Sequence, residues 1–116
     1  MNDALTLYGI AQCGSCQKAR AWLREHGLAH VFHDFRKDGL DADWLAWLCG
    51  QVGVESLINR RGTTYRQLDP ALKTGLSEAQ TLVLIQQHPT LIKRPVLVQG
   101  NRILTGFSPE SYAELT

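Results

Sequence analysis

The chain has 116 residues, near the usual length of one domain, and 44% of them are hydrophobic, enough for one core without disulfide staples. Twelve lysines and arginines against eleven aspartates and glutamates leave a formal charge of +1, which provides no global electrostatic footprint for direct nucleic-acid or anionic-membrane binding. No apolar run approaches the roughly 20 residues needed to span a bilayer, Met1-Asn2-Asp3-Ala4 lacks the charged-then-apolar layout of a signal peptide, and three cysteines do not make a secreted disulfide framework; a cytoplasmic monomer is expected.

Residues 4 to 10 alternate loosely between apolar and polar and read as a buried first strand that delivers Cys13. From Cys16 the apolar positions Cys16, Ala19, Trp22 and Leu23 recur at helical spacing, and Gly27 stops the pattern. His30-Val31-Phe32-His33-Asp34-Phe35 is short, aromatic and β-branched, and bounded by Gly27 and Lys37-Asp38-Gly39. Strand, helix and strand make a βαβ unit with parallel strands.

Asp41 is placed to cap a helix in which Leu40, Trp44, Leu45 and Leu48 share a face, running to Cys49 and Gly50. A short apolar turn, Val54 to Ile58, leads to the basic loop Asn59-Arg60-Arg61-Gly62. Residues 63 to 76 read as irregular or briefly helical. Ser77-Glu78-Ala79-Gln80 fits a capping box, and the helix it opens ends at His88-Pro89. Residues 37 to 88 therefore form a helical block without strands. Val96-Leu97-Val98 and Arg102-Ile103-Leu104 flank Gln99-Gly100-Asn101 as an antiparallel hairpin. Ser108 then caps a last helix with Pro109 at its first position.

Cys13-Gly14-Ser15-Cys16 lies at the first strand-to-helix junction, where backbone N–H groups without intrahelical partners favour a thiolate. Cys13 is the candidate nucleophile and Cys16 its resolving partner. No second Cys-x-x-Cys or His-x-x-x-His pattern accompanies them, so no metal site is expected. Cys49 reads as core, His26, His30, His33 and His88 as surface or cap residues, and Lys18 as exposed. Arg60, Arg61, Arg94 and Arg102 fall in loops or at strand ends, where a planar guanidinium can take a carboxylate or oxyanion such as glutathione or arsenate. Pro95 directly precedes an apolar strand.

Leu7-Tyr8-Gly9-Ile10, Cys13-Gly14-Ser15-Cys16-Gln17-Lys18-Ala19-Arg20, Leu57-Ile58-Asn59-Arg60-Arg61-Gly62-Thr63-Thr64-Tyr65 and His88-Pro89-Thr90-Leu91-Ile92-Lys93-Arg94-Pro95-Val96 occur in that order. On these segments the chain resembles, over essentially its whole length, the arsenate-reductase-like branch of the thioredoxin superfamily, the ArsC/Spx/YffB group, and looks closest to YffB-type members. The resemblance implies an α/β thioredoxin-like fold, βαβ…ββα with a mixed sheet, in which residues 1–36 and 89–116 form the core and 37–88 a helical insertion. It implies Cys13 as nucleophile, Arg94 as anion-binding arginine and Pro95 as a cis-proline facing the cysteine. It also implies a glutathione-dependent thiol–disulfide reductase with no bound cofactor and glutathione as co-substrate, or a small oxyanion or redox partner protein in its place. Arsenate reductases of this group carry arginines where this chain has Asn59 and Thr105, and generally lack the second cysteine. Cys13 and Cys16 together resemble the switch of Spx-type regulators, which bind RNA polymerase.

Overall fold

The computed structural model describes residues 4–115; Met1–Asp3 and Thr116, and with them most of the stretch read above for a signal peptide, lie outside the described residues. The first strand, β1 (Leu5–Gly9), buries Leu5, Leu7 and Gly9 and leaves Thr6 and Tyr8 partly exposed, the period-two pattern of a pleated strand with one face on a core. It is the organising strand of a four-stranded sheet in the order β2-β1-β3-β4. β2 (His30–Asp34) runs parallel to it, from Leu5↔His30 to Gly9↔Asp34. On its other side β3 (Val96–Gln99) runs antiparallel, from Tyr8↔Val96 to Leu5↔Gln99, and pairs in turn with antiparallel β4 (Arg102–Thr105). The sheet is therefore mixed. Each hairpin strand is one residue longer than the sequence pattern suggests, because Gln99 pairs directly with Arg102 and Gly100, at φ +59°, turns the chain.

The β1–β2 crossover is helix α1 (Gly14–Glu25). It begins two residues before Cys16, since the first-turn N–H groups of Gly14 and Ser15 need no helical partner. Its buried stripe is Cys16, Ala19 and Leu23. Ala19 and Leu23 join Leu5, Leu7, Leu97 and Tyr112 in one buried cluster, flanked by Trp22, Phe32, Leu104 and Phe107. Each fully buried leucine contributes about 1.5–3 kcal/mol of apolar burial. The helix ends in a Schellman motif: Leu28 N–H donates to Leu23 O at 2.9 Å and Gly27 N–H to Arg24 O at 3.1 Å, with Gly27 at φ +66°.

The chain forms two compact units, one running to Gly39 and resuming at Arg94, the other Leu40–Lys93. The second contains α2 (Ala42–Val52), α3 (Val54–Leu57), α4 (Thr63–Arg66) and α5 (Glu78–Gln87), with 3-10 turns at Pro70–Leu72 and Pro89–Leu91. Asp41 caps α2 by accepting from Trp44 N–H at 2.8 Å. Ser77 and Gln80 form the reciprocal capping box of α5, at 3.1 and 2.8 Å. The unit's buried side chains are Leu45, Leu48, Cys49, Leu57, Leu84, Ile85, Leu91 and Ile92.

Its limits differ from 37 and 88 for a hydrogen-bonding reason. Residues 37 to 39 stay with the sheet through Asp38 N–H to Asp34 O at 2.7 Å and His33 Nε2 to Gly39 O at 2.8 Å. Residues 89 to 93 stay with the helices through an antiparallel Ile58↔Ile92 bridge, Asn59 N–H to Leu91 O at 2.7 Å and Lys93 N–H to Leu57 O at 2.6 Å. No strand forms within residues 37–88; Ile58, where the chain leaves α3 in extended backbone, makes one isolated bridge, to Ile92. Ser108 accepts from Ser111 N–H at 3.1 Å and opens α6 (Pro109–Tyr112). Among the described residues no helix is long and apolar enough to cross a membrane.

Candidate active site

The two parallel strands end together, Gly9 beside Asp34, and the chain leaves β1 through Ile10, Ala11 and Gln12. Cys13 N–H donates to Ile10 O at 3.0 Å, which closes a tight turn and sets Cys13 at the N-cap of α1 in extended backbone. Its carbonyl accepts the first helical bond, from Gln17 N–H at 3.0 Å. The thiol forms no full capping bond, yet the Cys16 amide is close enough to favour a charge on its sulfur. Partial burial pushes the Cys13 thiol up, but the Cys16 N–H, hydrogen bonds from the Arg94 guanidinium and the Cys16 thiol, and the Arg94 charge outweigh it. The net effect lowers it below an ordinary thiol.

Cys16 behaves in the opposite way. It is fully buried and its sulfur packs against the backbone of Gly9, where a Cβ would collide with it. Burial first, then the bond to Cys13 and the charge there, push its thiol up to about 12, only partly offset by the Ile10 N–H and Arg94. All three cysteines are free thiols. The pair is thus chemically unequal: an accessible sulfur that ionises readily and a buried one that keeps its proton.

Arg94 reaches this corner through strand register. β3 begins at Val96 opposite Tyr8, so the residues just before it continue past the end of β1. The Arg94–Pro95 bond is cis and Pro95 is fully buried, its carbonyl accepting from Gly106 N–H at 2.8 Å. The structure therefore brings together Cys13, Cys16 and Arg94.

The remaining arginines fare differently. Arg102 stands at the far end of the sheet, in the Gln99↔Arg102 pair at the Leu5 end of β1, and donates to Glu114 O at 2.8 Å. Hairpin register thus removes it from the Cys13 end, correcting the expectation from sequence. Arg60, in the helical unit, grips both Glu55 oxygens at 2.6 and 2.7 Å and lies near Tyr65. Arg61 is exposed, its backbone N–H donating to Asn59 Oδ1 at 3.2 Å. Cys49 is buried, its thiol donating to Glu78 Oε1 at 3.3 Å. Among the described residues no cluster of His, Cys, Asp or Glu could hold a metal ion.

Sequence reading missed Asp34. Its carboxylate accepts Ala11 N–H at 3.1 Å through Oδ2, and Arg36 and Lys37 N–H at 2.8 and 3.3 Å through Oδ1. It thereby fastens the turn before Cys13 to the turn after β2. An aspartate at a strand end followed by Lys37-Asp38-Gly39 is an Asx-turn signal that points to the second contact; the first needs the strand register.

A four-stranded mixed sheet, a cysteine at the helix N-cap, a buried second cysteine and a cis-proline strand define a thioredoxin-like thiol protein. Residues 8–115 match the ArsC family model, and the chain belongs to the ArsC family. A solved structure named as a YffB protein is 45% identical, superposes with a TM-score of 0.90, and the match covers 96% of this chain and 97% of that one. An arsenate reductase (ArsC) related protein from Brucella melitensis is 39% identical with a TM-score of 0.80, covering 96% and 92%. The global transcriptional regulator Spx of Listeria innocua is 31% identical over 91% of this chain and 82% of its own. The family is one of thiol-redox proteins, with arsenate-reductase relatives and Spx regulators among them.

Proposed function

We propose that the chain is a glutathione-dependent thiol–disulfide reductase whose nucleophile is Cys13. The observation that carries the reading is the placement of the two thiols, Cys13 partly exposed at the α1 N-cap beside Arg94 and Cys16 fully buried behind it, which favours the thiolate at Cys13 alone. The Cys13 thiolate attacks one sulfur of a disulfide RSSR′, forming Cys13–S–S–R and releasing R′S⁻, which takes up a proton. Glutathione thiolate then attacks the glutathione-facing sulfur when R is glutathione, freeing Cys13 and giving oxidised glutathione. Alternatively Cys16 attacks Cys13, RS⁻ leaves with the proton Cys16 loses, and two glutathiones reduce the Cys13–Cys16 disulfide. By the first route a mixed glutathione disulfide and one glutathione give R′SH and oxidised glutathione; by the second, two glutathiones supply the two electrons that reduce RSSR′ to RSH and R′SH.

The test is glutathione-coupled reduction of a model disulfide by wild type, Cys13→Ser and Cys16→Ser. Cys13→Ser is expected to fall to the uncatalysed rate; equal turnover to wild type would remove Cys13 from the mechanism. Activity retained in Cys16→Ser would assign resolution to external glutathione.

The arsenate-reductase reading meets Asn59 and Thr105 where the family's oxyanion site has arginines, and an Arg60 already held by Glu55. A second reading, a redox-responsive binding protein, is favoured by the paired cysteines together with the similarity to Spx. It requires capture of RNA polymerase that differs between oxidised and reduced protein; equal or absent capture in both states dismisses it.

A further inference from the structure

We propose that the turn Arg36–Lys37, fastened by Asp34 to the loop before Cys13, is a carboxylate subsite that takes the glycine end of glutathione. This rests on Cys13 being the thiol nucleophile. A cavity of about 290 Å³ opens at this end of the sheet, lined by Ile10, Ala11, Gln12, Asp34, Arg36 and Lys37. One wall is the turn closed by Cys13 N–H on Ile10 O, so the cavity borders the residue next to the reactive sulfur. Its volume accepts one arm of a peptide thiol rather than a whole cofactor.

The charges choose the arm. Arg36 and Lys37 are exposed cations with no carboxylate partner within ion-pair distance among the described residues. Asp34 is the only anion in the lining, and its two oxygens are occupied by three backbone N–H groups. Those amides and the Arg36 charge outweigh its slight burial and hold the carboxyl below the usual range, so it acts as a fixed staple. Asp38, next along, accepts from Asp34 N–H at 3.0 Å. The site therefore presents two positive side chains and the Gln12 amide on a backbone pinned beside Cys13. A simple carboxylate suits it; the γ-glutamyl end of glutathione carries an ammonium that Arg36 and Lys37 repel. With the cysteine of glutathione disulfide-bonded to Cys13, its glycine carboxylate is only one residue further along the peptide, about 3.8 Å between Cα atoms.

The experiment compares wild type with the double variant Arg36→Gln/Lys37→Gln, surface changes that leave the core untouched. In glutathione-coupled turnover the KM for glutathione is expected to rise about 10-fold, while 2-mercaptoethanol, which has no carboxylate, shows the same KM in both proteins. Glutathione esterified at glycine should behave toward wild type as glutathione does toward the variant. Binding of S-methylglutathione, which cannot react, is measured separately by amide shifts of Ala11, Gln12, Arg36 and Lys37. Equal S-methylglutathione affinity in the two proteins overturns the subsite whatever the turnover. Binding that weakens in the variant, with no turnover in wild type, upholds the subsite and removes the reductase reading instead.

Discussion

Extended backbone at Cys13 followed at once by helical Gly14 leaves the sulfur near the Cys16 amide, one of the first-turn N–H groups that no carbonyl of the helix can reach. Arg94 adds a full charge to those partial ones, and the two together outweigh partial burial. Removing that charge raises the pKa of Cys13 back toward that of an ordinary thiol. Alkylation of Cys13 by iodoacetamide, followed by mass spectrometry across a pH series, is therefore expected to show a midpoint below 9.0 in wild type and a higher one in Arg94→Met. Coincident midpoints would take Arg94 out of the thiolate's environment. Cys16, with its sulfur buried against Gly9, should stay unmodified through the same series.

Elements in this chain divide by how local their causes are. The α5 capping box is written in four consecutive residues, and both of its hydrogen bonds form as the pattern states. Ser77→Ala is expected to lower stability by about 1 kcal/mol in urea unfolding, with little change in the denaturant slope; no loss would mean that tertiary contacts alone hold the helix start. Asp41 and Ser108 were legible for the same reason. The site was legible only in part. Cys13 and Cys16 stand in one short motif, and Arg94 was one of four loop or strand-end arginines until the resemblance singled it out. Arg102 was misplaced because a strand-end arginine looks the same at either end of a sheet until register assigns the end. Asp34 escaped because its contact with Ala11 spans 23 positions of sequence and depends on Gly9 lying opposite Asp34.

At the scale of the molecule the buried acids set how stability varies with pH. Cys16, at about 12 when folded against 9.0 as a free thiol, keeps its proton where the unfolded chain has lost it. Burial raises Tyr112 as well, with the Cys16 charge adding to it, and burial then Glu78 raise Cys49. In that range the unfolded state binds fewer protons, so stability falls as pH rises. Below it Cys13 has the opposite sign, because its lowered value makes the folded chain the stronger acid. Under reducing conditions the thermal midpoint should begin to drop as pH passes about 9 and continue dropping toward about 12, and Cys16→Ala should flatten that decline. An unchanged slope in the variant would mean that Cys16 does not carry the effect. The sheet that holds this cysteine is assembled from distant parts of the chain. β1 has β2 on one side, supplied by the next stretch of sequence, and β3 on the other, supplied only after the whole Leu40–Lys93 unit. On the ribosome, where N-terminal segments emerge first, the strand that presents Cys13 therefore waits half-paired while the helical unit is made. Arg94 is the first residue to return to the sheet unit, so the Cys16 amide is encoded three residues from the reactive sulfur while the guanidinium that adds to it comes only after the whole Leu40–Lys93 unit.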